Sequence, residues 1–155
     1  MYVWLIVLMM GVLPVLSIVL EPLLRPDAAG FVDLVGRWFV FWAGGIRLFL
    51  AGLRQTTKPE FTAEKILGIK DPAALVAIQE LGFANLATGA AGIASLVLTG
   101  WVVPVAFIAA VFLGLAGIKH LRRGSHTGNE TVAMVSDLAV ALVLGLFVIA
   151  ALAGA

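Results

Sequence analysis

Cysteine is absent from all 155 residues. That excludes disulfides, thiolate zinc sites, iron–sulfur clusters and thiol nucleophiles. Charge is scarce as well: 12% of residues are Asp, Glu, Lys or Arg, and the net charge is +1. Soluble domains carry roughly 25% charged residues, because a water-facing surface needs them. With no basic or acidic tail, a nucleic-acid partner is not expected. There are 2 histidines, His120 and His126, and a bis-histidine haem would need both facing each other inside a membrane. Neither a phosphate loop nor a dinucleotide fingerprint is present. Ser95 and Ser136 have no evident base nearby in sequence, which leaves nucleophilic hydrolysis without support.

What is present is apolar sequence, 62% of the chain, with a mean hydropathy of +1.11. So small a globule could not bury this much greasy surface, and lipid is the solvent that removes the problem. Each spanning helix needs about 20 mostly apolar residues. Five stretches qualify: residues 1–20, 31–53, 72–98, 101–121 and 130–155. The expected fold is therefore all-α, an integral membrane helical bundle in one membrane domain of about five spans. Residues 1–20 have no Lys or Arg before the apolar run and no small-x-small cleavage site after it, so they read as a first span and not a signal peptide.

Local signals refine this plan. Pro14 predicts a kink. Glu21–Gly30, with Pro22 and Pro26, reads as a connector. Asp33 and Arg37 stand at i,i+4 and are expected to pair, while Trp38 and Trp42 suit an interfacial belt. Arg54–Asp71 is the longest polar segment, with a short turn of helix near Thr62 stopped at Gly68. Asp71-Pro72 is a helix start, an N-cap acid followed by proline at the first helical position. Arg54, Lys58, Lys65 and Lys70 in the second loop, with Lys119, Arg122 and Arg123 at the fourth, lie on one side of a five-span chain. The positive-inside rule then places the N-terminus in the cytoplasm, with the bacterial inner membrane as the expected setting.

Small residues form two stripes. Gly82, Asn85, Gly89 and Gly92 share one face of the third span; Ala106, Ala110, Gly114 and Gly117 share one face of the fourth. Such stripes let membrane helices approach closely, and the expectation is that these two spans pack on each other.

The candidate site follows from depth. Arg47 lies seven residues before Arg54 and Asp137 seven after Glu130, each roughly 10 Å into a span. Glu80 lies eight residues after Pro72, roughly 12 Å in from the same side. Gln79 and Asn85 are near that level, and Lys119 and His120 sit just below it. A charge at mid-bilayer costs on the order of 3 kcal/mol, so the three ionisable groups are expected to meet. The economical arrangement is an Arg47–Glu80 ion pair, with Asp137 nearby or facing His120 or Lys119. Two readings stay open: neutralised glue that fixes helix register, or the lining of a pocket for a ligand or proton. A metal site from His120, Glu130 and Asp137 has no recognised spacing, and the cofactor is left unassigned.

From Arg47 to about Leu98 the chain resembles the DoxX-like family of small four-helix membrane proteins. Arg47-Leu-Phe-Leu-Ala-Gly, Lys58-Pro59, Leu67-Gly68, Asp71-Pro72 and Glu80-Leu-Gly-Phe-Ala-Asn-Leu-Ala-Thr-Gly89 carry the resemblance, which covers about a third of the chain. It departs from that group by an additional N-terminal span and by the His120-Leu-Arg-Arg-Gly loop. The resemblance implies an accessory place beside quinone-linked redox chemistry. The functional expectation is thus a non-enzymatic accessory or scaffold component of a membrane assembly, with a buried polar pocket in its cytoplasmic half. The alternatives are a proton-coupled transporter or channel using Glu80 and Asp137, and a quinone-binding redox subunit. The expected partners are the bilayer and either a second copy or a membrane complex.

Overall fold

The computed structural model describes residues 2–25, 27, 29–122 and 128–154, and among these every regular element is helical. Five helices are long and apolar enough to cross a bilayer: α1 (Val3–Leu24), α2 (Phe31–Thr57), α3 (Ala74–Ala94), α4 (Thr99–Leu121) and α5 (Glu130–Leu152). Large apolar side chains such as Leu23, Phe83, Leu115 and Ile149 stand exposed on their outer faces. In water such a surface would drive aggregation; against acyl chains it costs nothing. The molecule is an all-helical membrane bundle.

Proline acts differently at its two sites in α1. Pro14 lacks the N–H that an α-helix needs, and its ring crowds the preceding turn. The helix answers by widening into a π-turn over Leu8–Val12, where Leu13 N–H reaches back to Leu8 O. Pro22, expected in a connector, lies inside the helix, which continues to Leu24. Glu21 explains the added length, because its carboxylate docks on α2. Arg37 Nη1 donates to Glu21 Oε1 at 2.6 Å and Trp38 Nε1 to Oε2 at 2.7 Å, while Trp42 Nε1 donates to Ser17 Oγ at 3.0 Å. Arg37 therefore pairs with Glu21 and not with Asp33, and the two tryptophans tie α1 to α2.

The small-residue faces also find other partners than expected. The glycine stripe of α3 packs on α2, not α4. A Cβ at Gly92 would lie 2.7 Å from Gly45 Cα, one at Gly52 2.6 Å from Gly82 O, and one at Gly89 2.6 Å from Phe49 Cα. Backbone lies against backbone along this seam, which no side chain could enter. The stripe of α4 packs on α5 and α2: Gly117 meets Leu138, Gly114 faces Ala141 and Ala109 faces Gly44. An apolar core is shared by α1, α2, α4 and α5, with Met10, Val40, Ala106, Ala109, Leu113 and Leu144 among its members.

Between α2 and α3 the chain makes a short π-helical turn, Phe61–Ile66, in which Thr62 and Ala63 are buried. It ends as the sequence suggests. Gly68 takes φ +68°, a conformation glycine adopts without steric cost, and Ile69 N–H bonds back to Ala63 O at 2.8 Å. Asp71 Oδ1 then accepts the N–H of Ala73 at 2.9 Å and opens α3.

Candidate functional site

Adjoining the apolar core, the bundle buries a set of polar side chains, Gln55, Asn85, Glu130 and Asp137 among them. On α5 the buried residues Glu130, Ala133, Asp137, Val140, Leu144 and Phe147 recur at spacings of three and four, one continuous inward stripe. Asp137 belongs to it, so its carboxylate points at the neighbouring helices. On α2 the segment Val40–Arg47 is π-helical, and Arg47 and Leu48 both turn inward beyond it. Arg47 Nη2 lies 2.8 Å from Asp137 Oδ1, with side-chain exposures of 13% and 7%. The charges are thus paired between α2 and α5.

Glu80 is not part of this pair. It is exposed on the outside of α3. The reason is angular: the face of α3 that meets α2 carries Gly82, Asn85 and Gly89, and two residues before Gly82 is roughly 200° away around a helix. Along that seam a Cβ already collides, so no carboxylate could reach Arg47 through it. Lys119 is likewise exposed, one residue off the inward row of α4 that ends at His120. Gln79 is half-buried at the edge of the α2–α3 seam, its Nε2 3.4 Å from Thr56 O.

Two further pairs complete the polar lining. His120 Nδ1 lies 2.9 Å from Glu130 Oε1, with both side chains nearly covered, closing the end of the α4–α5 hairpin. Asn85 Nδ2 donates to Gln55 Oε1 at 2.8 Å, both groups buried at the α2–α3 seam. Each amide keeps donor or acceptor capacity beyond this bond. No enclosed side-chain nitrogen or oxygen among the described residues lacks a partner. His126 lies outside the described residues. Among those described, no three of His, Asp and Glu converge as metal ligands.

These groups border one cavity of about 560 Å³, to which all five helices contribute. Arg47, Gln55, Asn85, His120 and Asp137 form its polar side, and Leu5, Leu48, Leu81, Phe112 and Ala116 its apolar side. The turn at Phe61, Thr62 and Ile66 closes one end, where Arg54 and Lys58 also stand. Arg54 Cζ stands over the Phe61 ring, 3.6 Å from its centroid. Of the sequence-predicted site residues, Arg47, Asn85, His120 and Asp137 come together here, while Gln79, Glu80 and Lys119 do not. Gln55 was missed, although it stands three residues after Gly52 on the inward row of α2. Thr62 and Phe61 carry no such signal, because only folding of the second loop brings them under the bundle.

A family of unknown function, DUF6790, matches residues 2–154, and the chain belongs to it. No curated protein and no solved structure matches the chain. The resemblance of residues 47–98 to the DoxX-like family is not carried by this match.

Proposed function

We propose that this member of the family is a non-enzymatic accessory component of a membrane assembly, and that its bundle holds a small ligand in the central cavity. The observation that carries the reading is the cavity itself. Its volume of about 560 Å³ falls in the range of small-molecule sites, which are mostly apolar with a few placed polar groups. Of the ionisable groups along the polar wall, Arg47 is paired with Asp137, and His120 with Glu130 behind it. Ser95 and Ser136 are occupied too: Ser95 Oγ donates to Gly92 O and Ser136 Oγ to Val132 O, which favours a holding role over hydrolysis at either. Basic residues beyond the end of α2 favour a cytoplasmic placement of this end, with the bacterial inner membrane as the setting.

A proton path through Glu80 and Asp137 is disfavoured, since Glu80 lies outside the cavity. A second reading, a quinone-binding redox subunit, draws on the same space: the amides of Gln55 and Asn85 beside apolar walls suit a ring carbonyl. Native mass spectrometry of the full-length protein, released gently from lipid, tests the holding role. The expected result is a bound small molecule that is lost or weakened in Ala116→Phe, where the new ring projects into the cavity. The reading fails if the wild type carries no adduct and its melting temperature, like that of Ala116→Phe, is the same with or without added lipid.

A further inference from the structure

The cavity is unevenly charged. Asp137 is the carboxylate that lines it, and Arg47 neutralises that group at 2.8 Å. Arg54 and Lys58 line the end nearest the membrane face, and among the described residues neither has a carboxylate within 4.0 Å. Glu60 and Glu64 are exposed on the same loop but do not line the cavity. The space therefore has an apolar body, a neutralised polar wall and an uncompensated cationic rim. The Phe61 ring beneath it holds Arg54 at that rim, where its guanidinium carries the N–H fork suited to an anion.

The opening is also placed for lipid. Leu5, Leu50 and Leu53 line the cavity and are at the same time 40%, 38% and 46% exposed on the outer surface. The gap between the start of α1 and the end of α2 thus faces acyl chains, beside the cationic rim. A chain leaving the bilayer for this cavity exchanges one apolar medium for another, so its tail supplies little discrimination. Selectivity must come from the head, and the rim chooses its sign.

We propose that the cavity takes a single-chain amphiphile with an anionic head, entering sideways from the bilayer, its head held by Arg54 and Lys58 and its tail lying among Leu48, Leu81, Phe112 and Ala116. The proposal rests on the ligand-holding reading above and names its ligand. A carboxylate or phosphate head matches the guanidinium fork and the neighbouring ammonium. The volume admits one acyl chain, and the second chain of a diacyl lipid would have to remain outside.

The experiment uses the full-length protein in a neutral detergent, with the thermal midpoint and native mass spectra read against four probes. Oleate and oleoyl lysophosphatidic acid carry the anionic head; monoolein and oleylamine carry the same tail with no charge or a positive one. The expected result is binding of the two anions at least tenfold tighter than monoolein, and weakened by salt. Arg54→Gln/Lys58→Gln should lose that tenfold preference, with its unliganded midpoint serving as the control for folding. Ala116→Phe should lose binding of every probe. If monoolein binds as tightly as oleate and Ala116→Phe abolishes both, the anionic head is refuted and the cavity reading stands. If a short-chain quinone binds in preference to all four, the head chemistry is likewise refuted. Undiminished oleate binding by Arg54→Gln/Lys58→Gln refutes the assignment of the rim. If no probe binds and Ala116→Phe behaves as wild type, both readings fall together.

Discussion

Removing one member of the Arg47–Asp137 pair should injure the protein far more than removing both. The groups stand 2.8 Å apart with side-chain exposures of 13% and 7%. At an effective dielectric of 20 their attraction is roughly 6 kcal/mol, a gross figure set against the cost of taking both out of water. The pair's net worth is therefore small, while the worth of each partner to the other is large. Arg47→Met leaves a buried carboxylate and Asp137→Asn a buried guanidinium; each should cost about 3–5 kcal/mol. The double variant removes both charges and should recover much of the loss, giving a coupling of at least about 2 kcal/mol, or about thirtyfold in the folding equilibrium. Equilibrium unfolding of the four proteins in mixed micelles or nanodiscs measures it. A parallel cycle with Arg47→Met and Glu80→Gln should be additive within about 0.5 kcal/mol, because those two side chains do not meet. Additivity for Arg47 with Asp137, or coupling of Arg47 with Glu80, would refute the assignment of partners.

Glycine replacements should separate the two seams. Gly89→Ala puts a methyl 2.6 Å from Phe49 Cα and should cost about 1–3 kcal/mol by overpacking, whereas Gly114→Ala, 3.5 Å from Ala141 Cβ, should be neutral or slightly stabilising. Equal thermal shifts for the two would show that α3 does not lie against α2. Glu21→Ala leaves Arg37 and Trp38 without their acceptor and should destabilise the protein by about 1–3 kcal/mol. Tryptophan fluorescence should shift as α1 loosens, and an unchanged spectrum would argue against the docking. Because the chain has no cysteine, single cysteines placed near Lys65 and near Gly154 report topology directly. They should be labelled from opposite sides of an intact membrane, and labelling of both from one side would overturn the five-span arrangement.

The number of spans is a local property of the chain, and so is the depth of a residue along its span. Run length counts the first, and a rise of 1.5 Å per residue gives the second. For that reason the five helices, the turn at Asp71-Pro72 that leads into α3, the Gly68 stop and the shared level of Arg47 and Asp137 were all legible. Azimuth was partly legible as well. The spacing of Glu130, Asp137 and Val140 marks the inward stripe of α5, and counting back from Gly82 turns Glu80 to the opposite side of α3. Neighbour order was not legible, because a glycine stripe asks for a close partner without naming one. Tertiary packing seated the stripe of α3 on Gly45, Gly52 and Phe49 of α2, and that of α4 on Leu138 and Ala141 of α5. That choice put Asp137 rather than Glu80 beside Arg47. It also folded Phe61 and Thr62 under the bundle and shaped the cavity. Cavity and ion pair alike depend on which helices adjoin, and adjacency is decided by the joint packing of five surfaces, a quantity that no single segment contains.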